Sequence, residues 1–439
     1  MSGDTGPVAA ATQPDSTNLH KYDLEKGTEL RFEVDADPVV VRMVSGKGEL
    51  FGTELRIEQK YTFKKGDKVA IFTFHGCKLK LFGKPEVQYV AMETPMTFYI
   101  NLSNALEGLR VQAETQAQSG PNVLVCGPSD VGKSTLCRIL LNYAVRSGRT
   151  PIFVDLDLGQ GAVSVPGSIG GVVIEKPADV EGTFQMTAPI VYHYGHSTQS
   201  INPTLYDLIM GALAEAIERK KQVDNSVKYS GIIVNTSGWV QGYGYQSLLQ
   251  AIKHFNIDTV LVIDQERLFS ELSRDLKNNN NTKVIFTPKS GGVVSRTREF
   301  RAESRDERIR SYFYGNITKP LYPYSFDVPF SQFVVYKIGS PNLPDSCLPI
   351  GMRAEDNSTK LLPISPSIEL RNHLLAISCA TNNTTEELSK AIVSNVFGFV
   401  AVTNVDMERQ VVTVLSPQPR PLPKNSVLLF SDIQFVDLE

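Results

Sequence analysis

The residues Gly127, Pro128, Ser129, Asp130, Val131, Gly132, Lys133, Ser134 and Thr135 carry the spacing GxxxxGK[ST]. The glycines let backbone N–H groups wrap phosphate oxygens, and a helix opening at Lys133 aims its positive end at them. Lys133 would neutralise the β- and γ-phosphates, and the Ser134 hydroxyl would ligate Mg²⁺. An apolar run at 122–126 precedes the loop and an amphipathic run at 134–145 follows it. That strand–loop–helix order is what the motif needs, and it argues against a chance glycine-rich turn. These residues predict a site for a nucleoside triphosphate.

Four other clusters bear on what happens to the bound phosphate. Asp155 and Asp157 stand at the end of the apolar run 152–154. Strand ends in an α/β sheet face the ligand crevice, and on a continuing strand the two carboxylates share one face. Asp157 is the better candidate for activating an acceptor hydroxyl or for holding a magnesium water; a solvated cap of the strand end is the alternative. The stretch 291–305 carries Arg296, Arg298, Arg301 and Arg305, with Arg301 and Arg305 one helical turn apart. Such a helix could close over a transferring phosphoryl group as a lid, or it could be a solvated helix balanced by Glu299, Glu303 and Asp306. Trp239 is the single tryptophan and follows the apolar run 231–235, where it could stack on a base or pack against a helix. Residues 195–200 are Gly195, His196, Ser197, Thr198, Gln199 and Ser200, a segment that could contribute hydroxyl and amide donors to a substrate phosphate. A lone loop histidine such as His196 reads as structural before it reads as a general base. An NKxD guanine-reading motif is not evident, which sets this pattern apart from a GTPase-like switch.

The elements that must position these groups fall into three blocks. Residues 19–101 carry short runs with glycine-bearing turns, at 29–34, 39–44, 68–74, 77–82 and 87–90, and predict a β-sandwich. Residues 102–315 open on a helix at 102–118. They then alternate apolar runs at 123–126, 152–154, 231–235, 259–263 and 284–286 with helices near 205–221 and 244–254. Buried apolar strands alternating with helices predict an α/β domain built on a parallel sheet. Residues 316–439 are again strand-rich, with strands at 397–403 and 410–415 and proline-rich joints near 321–329 and 416–423, and predict a smaller mixed α/β or β domain.

Composition sets outer bounds. The chain has 439 residues, 41% hydrophobic and 21% charged, with a formal net charge of -3. A general nucleic-acid coating protein is strongly basic, so any nucleic acid here should be met in a local cleft. Cys77, Cys126, Cys137, Cys347 and Cys379 are scattered without a CxxC pair, which predicts reduced structural thiols. No apolar run approaches the ~20 residues of a membrane span. Residues 1–18 read as a disordered lead-in without a signal-peptide core, and 278–281 as a short polar loop.

Together these segments resemble a known family. The run 127–161, the LFGTEL at 50–55, NTSGWVQGYGY, LVIDQERLFSEL, PKSGGVVSRTREFR, RSYFYG at 310–315 and FGFVAVTNVD at 397–406 are similar to the eukaryotic polyribonucleotide 5′-hydroxyl-kinases of the pre-mRNA cleavage machinery. The resemblance covers nearly the whole chain beyond Asn18. It implies an N-terminal β-sandwich, a central P-loop kinase domain and a small C-terminal domain. It implies ATP and Mg²⁺, and transfer of the γ-phosphate to the 5′-hydroxyl end of RNA. By motif position, Lys133 and Ser134 hold phosphate and metal, and Asp157 handles the attacking hydroxyl. Arg296, Arg301 and Arg305 match the lid arginines, with Arg301 on the γ-phosphate. Ser197 and Thr198 match a clasp on the substrate phosphate, Trp239 the residue that stacks on the base, and Glu29 and Lys68 positions that close over the adenine. The tRNA-splicing endonuclease, mRNA 3′-end processing factors and a nuclear location are implied in the same way. Some relatives have lost the kinase residues and serve as ATP-bound scaffolds, so an assembly role without turnover is the rival reading. This chain keeps Lys133, Asp157, Arg296, Arg301 and Arg305.

Overall fold

The computed structural model describes residues 18–277, 281–316, 319–339, 358–381, 384–423 and 426–436. The expected lead-in at 1–18 and polar loop at 278–281 lie almost wholly outside them, as does Cys347.

The first nine strands are β1 Leu19–Leu24, β2 Glu29–Glu33, β3 Val39–Gly46, β4 Glu49–Leu50, β5 Thr53–Glu54, β6 Lys60–Phe63, β7 Lys68–Phe72, β8 Cys77–Phe82 and β9 Val87–Ala91. They form a four-stranded sheet ordered β1-β8-β3-β6 and a five-stranded sheet ordered β5-β4-β7-β2-β9. Alternate residues point inward: Leu30, Phe32, Val69 and Ile71 of one sheet share a core with Val39, Val41, Leu79 and Leu81 of the other. The period of two that marked these runs in the sequence is this inward face. Helix α1, Met96–Thr115, follows β9 and begins earlier than the run at 102 suggested.

The central layer continues with β10 Asn122–Cys126, α2 Lys133–Arg146, β11 Ile152–Asp155, β12 Ser168–Val173, β13 Ile190–His193, α3 Pro203–Val223, α4 Asn225–Ser230, β14 Ile232–Asn235, α5 Tyr243–His254, β15 Thr259–Ile263, α6 Glu266–Asp275, β16 Lys283–Thr287 and α7 Arg298–Tyr314. The sheet order is β13-β12-β11-β14-β10-β15-β16. β11, β14, β10, β15 and β16 run parallel, whereas at one edge β12 pairs antiparallel with both β11 and β13. β10 lies between β14 and β15, so the chain leaves β10 at a point where the strand order reverses. A ligand crevice is expected there.

The last block holds β17 Tyr324–Pro329, β18 Phe333–Ile338, β19 Leu361–Ile364, β20 His373–Thr381, α8 Thr385–Ser389, β21 Val396–Asp406, β22 Val411–Ser416 and β23 Ser426–Gln434. One seven-stranded sheet, ordered β17-β22-β21-β20-β23-β18-β19, carries nearly all of it. The block is joined to the central layer by side chains as well as by chain: Phe313 of α7 stacks on Phe435 at 5.5 Å. Among the described residues, no helix is long and apolar enough to cross a membrane. Cys77, Cys126 and Cys137 are buried free thiols, and burial pushes Cys126 up to about 12.

Candidate functional site

The 127–135 loop leaves the C-terminal end of β10 and enters α2 through Gly132, whose φ of 93° is left-handed. An L side chain resists that conformation. No side chain caps α2, so its first N–H groups face the cleft. Lys133 is buried, and its Nζ donates to the carbonyls of Gly127 at 3.0 Å and Pro128 at 2.7 Å. Burial lowers its pKa, against the opposing pull of Asp157. Ser134 is exposed toward the cleft.

The two aspartates do not share a face. β11 ends at Asp155 and the chain turns, so the strand does not carry on to Asp157. Asp155 points inward and is 2% exposed. It accepts from Asn235 Nδ2 at 2.9 Å and from the N–H groups of Ala162 at 2.7 Å and Asp157 at 3.2 Å. It therefore organises the turn. Asp157 lies at the cleft, accepting from the Gly159 N–H at 3.0 Å. Burial raises its pKa, while the Gly159 bond, Lys133 and Arg301 pull it down.

The arginine segment is a helix with its far end in the core. Thr297 caps α7 by accepting from the Phe300 N–H at 3.2 Å, and Ile309 and Phe313 are fully buried. Arg301 and Arg305 face the cleft, one turn apart, and Arg296 lines it just before the helix. Arg301 pairs with Asp130 of the loop at 2.6 Å, and the Arg296 N–H donates to the same carboxylate at 3.0 Å. The alternative of a helix balanced by its own acids does not describe Arg301. Burial would raise Asp130, but the Arg296 N–H and the Arg301 guanidinium hold it below the usual carboxylate range.

The β-sandwich closes the other side. Glu29 and Lys68 line the same cleft of about 770 Å³ as Lys133, Ser134, Asp157 and Arg301. Glu29 is buried and pairs with Arg31 at 3.3 Å; Lys68 pairs with Glu33 at 3.0 Å. Trp239 and the 195–200 segment sit next to this cleft rather than in it. Gly238 presses on the loop so closely that a Cβ there would stand 2.2 Å from Ser129 Oγ. Half-buried Trp239 shares a small cavity with Gln199, Thr236 and Ser237. Ser197 and Thr198 are exposed, and the Ser197 carbonyl lies 3.8 Å from where a Cβ on Gly159 would be. That puts the segment beside the Asp157 turn.

Two cleft residues escaped the sequence reading. Arg308 donates through Nε to the carbonyls of Gly161 at 2.7 Å and Ser164 at 3.1 Å, and through Nη2 to Ala162, tying the lid helix to the turn after Asp157. Its i,i+3 spacing from Arg305 was the available signal. Arg138, one turn after Ser134 on α2, lies over the Phe51 ring at 5.6 Å and donates to the Asp179 carbonyl at 2.7 Å. Burial lowers it to about 10.

A phosphate loop on the central parallel strand, a carboxylate at the end of the next strand and an arginine helix over both define a P-loop nucleotide-binding domain of the kinase type. Residues 127–315 match the family described as the mRNA cleavage and polyadenylation factor CLP1 P-loop, residues 321–437 the pre-mRNA cleavage complex II protein Clp1, and residues 23–113 the N-terminal β-sandwich domain of polyadenylation factor. The chain belongs to the Clp1 family. It is 52% identical over 433 residues to a polyribonucleotide 5′-hydroxyl-kinase Clp1 of Rattus norvegicus, covering 98% of this chain and 100% of that one. A CLP1 homolog of Anopheles gambiae is 54% identical over 418 residues, 95% of this chain and 97% of that one. The fold is also that of Clp1p in a solved complex with Pcf11p, with a TM-score of 0.82 at 24% identity, covering 97% of this chain and 100% of that chain.

Proposed function

We propose that this protein is an ATP-dependent polynucleotide kinase that transfers the γ-phosphate to the 5′-hydroxyl of RNA. The observation that carries the reading is one cleft lined by Lys133, Ser134, Asp157, Arg301 and Arg305, with half-buried Trp239 and the exposed hydroxyl loop at its margin. In this reading the 127–135 N–H groups and Lys133 hold the triphosphate. Asp157 takes the proton of the 5′-hydroxyl, whose oxygen attacks the γ-phosphorus as the bond to the β–γ bridging oxygen breaks and ADP leaves. Arg296, Arg301 and Arg305 offset the charge spread over the equatorial oxygens. Glu29 and Lys68 close over the adenine. Trp239 stacks on the terminal base, and Ser197 and Thr198 hold an adjoining phosphate.

Ser134 and Asp157 present hard oxygen donors to the same cleft, and Mg²⁺ needs only one or two such protein ligands beside phosphate and water. Bound there, it would neutralise charge on the β- and γ-phosphates.

By family, the setting is mRNA 3′-end processing and tRNA splicing in the nucleus, with cleavage-factor subunits and the tRNA-splicing endonuclease as partners. The relatives solved with Pcf11p favour a second role, an ATP-bound assembly scaffold. The discriminating experiment supplies γ-labelled ATP and 5′-hydroxyl RNA: label on the RNA end supports the kinase, whereas ATP that stays bound and intact with RNA present supports the scaffold. Trp239→Ala should raise the KM for RNA about tenfold or more without altering ATP affinity.

A further inference from the structure

We infer that Asp432, on the last strand of the C-terminal sheet, is a positioning residue for the hydroxyl loop at Ser197 and Thr198. The inference rests on the reading of that loop as a clasp for an RNA phosphate.

The loop joins β13 to α3 and is held from two sides. On its far side Tyr194 Oη donates to the Gln199 carbonyl at 3.1 Å and accepts from the Asn202 N–H at 2.9 Å. On its near side the holding groups come from β23. The Asp432 N–H and the Ser431 hydroxyl both donate to the Gly195 carbonyl, at 2.9 and 3.1 Å. His193 Nε2 donates to the Phe430 carbonyl at 3.0 Å. Gly195 approaches so closely, at φ 89°, that a Cβ would stand 3.1 Å from that same carbonyl.

The side-chain contact falls next to the clasp. Asp432 Oδ2 is 2.6 Å from His196 Nδ1. The His196 ring is also set edge-on against Tyr194, with ring centres 5.5 Å apart. Lys337 of β18 stands 3.9 Å from the other carboxylate oxygen. His196 precedes Ser197 in the chain, so an imidazole clamped between a carboxylate and an aromatic edge fixes where the two hydroxyls start. Nδ1 makes no hydrogen bond of good geometry, so the carboxylate holds the ring by close contact and by the charge it places beside it. The C-terminal sheet therefore reaches the hydroxyl loop through Phe430, Ser431 and Asp432, and Asp432 alone of the three meets His196 by its side chain.

The test uses the full chain with Asp432→Ala, Asp432→Asn and Asp432→Glu. Substrates are a 5′-hydroxyl RNA with ordinary linkages and one whose first two linkages are neutral methylphosphonates. For the unaltered protein the neutral linkages should raise the KM for RNA about tenfold, as loss of a charged phosphate contact does. Asp432→Ala should raise the KM for ordinary RNA about five- to tenfold and leave the KM for ATP within about twofold, with Asp432→Glu recovering part of the loss. The penalty for neutral linkages should then shrink toward about twofold, because a displaced clasp no longer reads that charge. A general loss of folding would leave this penalty unchanged, and Asp432→Asn preserves shape should the alanine variant not fold. An undiminished penalty in both variants, or a parallel rise in the KM for ATP, overturns the positioning role alone. Absence of any penalty in the unaltered protein overturns the clasp reading and the inference with it.

Discussion

Arg301 of the lid helix reaches across the cleft to Asp130 of the phosphate loop, Nη2 to Oδ2 at 2.6 Å, and the Arg296 N–H meets the same carboxylate. The lid is thus pinned to the loop it covers, by a residue within the loop motif. Asp130→Asn should lower kcat/KM for ATP about five- to tenfold through a looser lid, with little change in the KM for RNA. Steady-state kinetics check it; an unchanged or increased value would mean that the pair restrains Arg301 rather than placing it.

Asp157 must be ionised to accept a proton. Its burial raises the pKa above 3.8, while the Gly159 N–H, Lys133 and Arg301 oppose that rise. The acid limb of kcat/KM against pH should therefore lie above 3.8, and activity should be lost as pH falls through it. Arg301→Gln removes one opposing cation and should shift the limb upward in its residual activity. A limb that stays in place would assign the titration to another group.

Gly238→Ala places a methyl group 2.2 Å from Ser129 Oγ and 2.7 Å from the Ser129 N. The backbone atom cannot swing away as a side chain would, so the phosphate loop must move. ATP affinity, measured by calorimetry, should fall about tenfold or more. Gly108→Ala, where nothing lies within 4 Å, is the control. On an exposed turn of α1 it should raise stability by about 0.5–1 kcal/mol.

His193 couples the two sheets through Phe430, and burial lowers its pKa from 6.5 to about 4 despite that bond. Because the folded pKa is depressed, the unfolded chain binds the proton first. Stability is full above 6.5 and is lost as pH falls toward about 4, at up to about 1.4 kcal/mol per pH unit from this group. Urea midpoints for the protein and for His193→Gln should diverge by that slope below 6.5. Parallel curves would show that His193 is not the titrating group.

What the sequence made legible was local. The 127–135 motif, β10, β15 and the Arg301–Arg305 turn each depend on residues near in the chain, and the apolar runs that marked β10 and β15 are buried along their whole length. β12 and β13 went unread because their pairing is antiparallel and their signal is weak. Gly170 and Gly171 interrupt β12, and a Cβ on Gly170 would stand 2.7 Å from the Ile190 carbonyl of the partner strand. The sequence favoured Asp157 but put Asp155 on the same face; β11 ends at Asp155, and Asn235 of β14 with the Ala162 and Asp157 N–H groups makes Asp155 the buried organiser of the turn. Arg308 offered only its spacing from Arg305, since the carbonyls it binds converge only after the 161–164 turn has folded.

The central claim is that the cleft transfers the phosphate it binds. The direct measurement is the rate at which γ-labelled ATP marks the 5′ end of a 5′-hydroxyl RNA, for the protein, Lys133→Ala and Asp157→Asn. The expected result is steady transfer by the unaltered protein and a loss of about a hundredfold to ten-thousandfold in Asp157→Asn with ATP still bound, and no measurable transfer by Lys133→Ala. Tight ATP binding with no transfer by the unaltered protein, or transfer that survives Asp157→Asn undiminished, would contradict it.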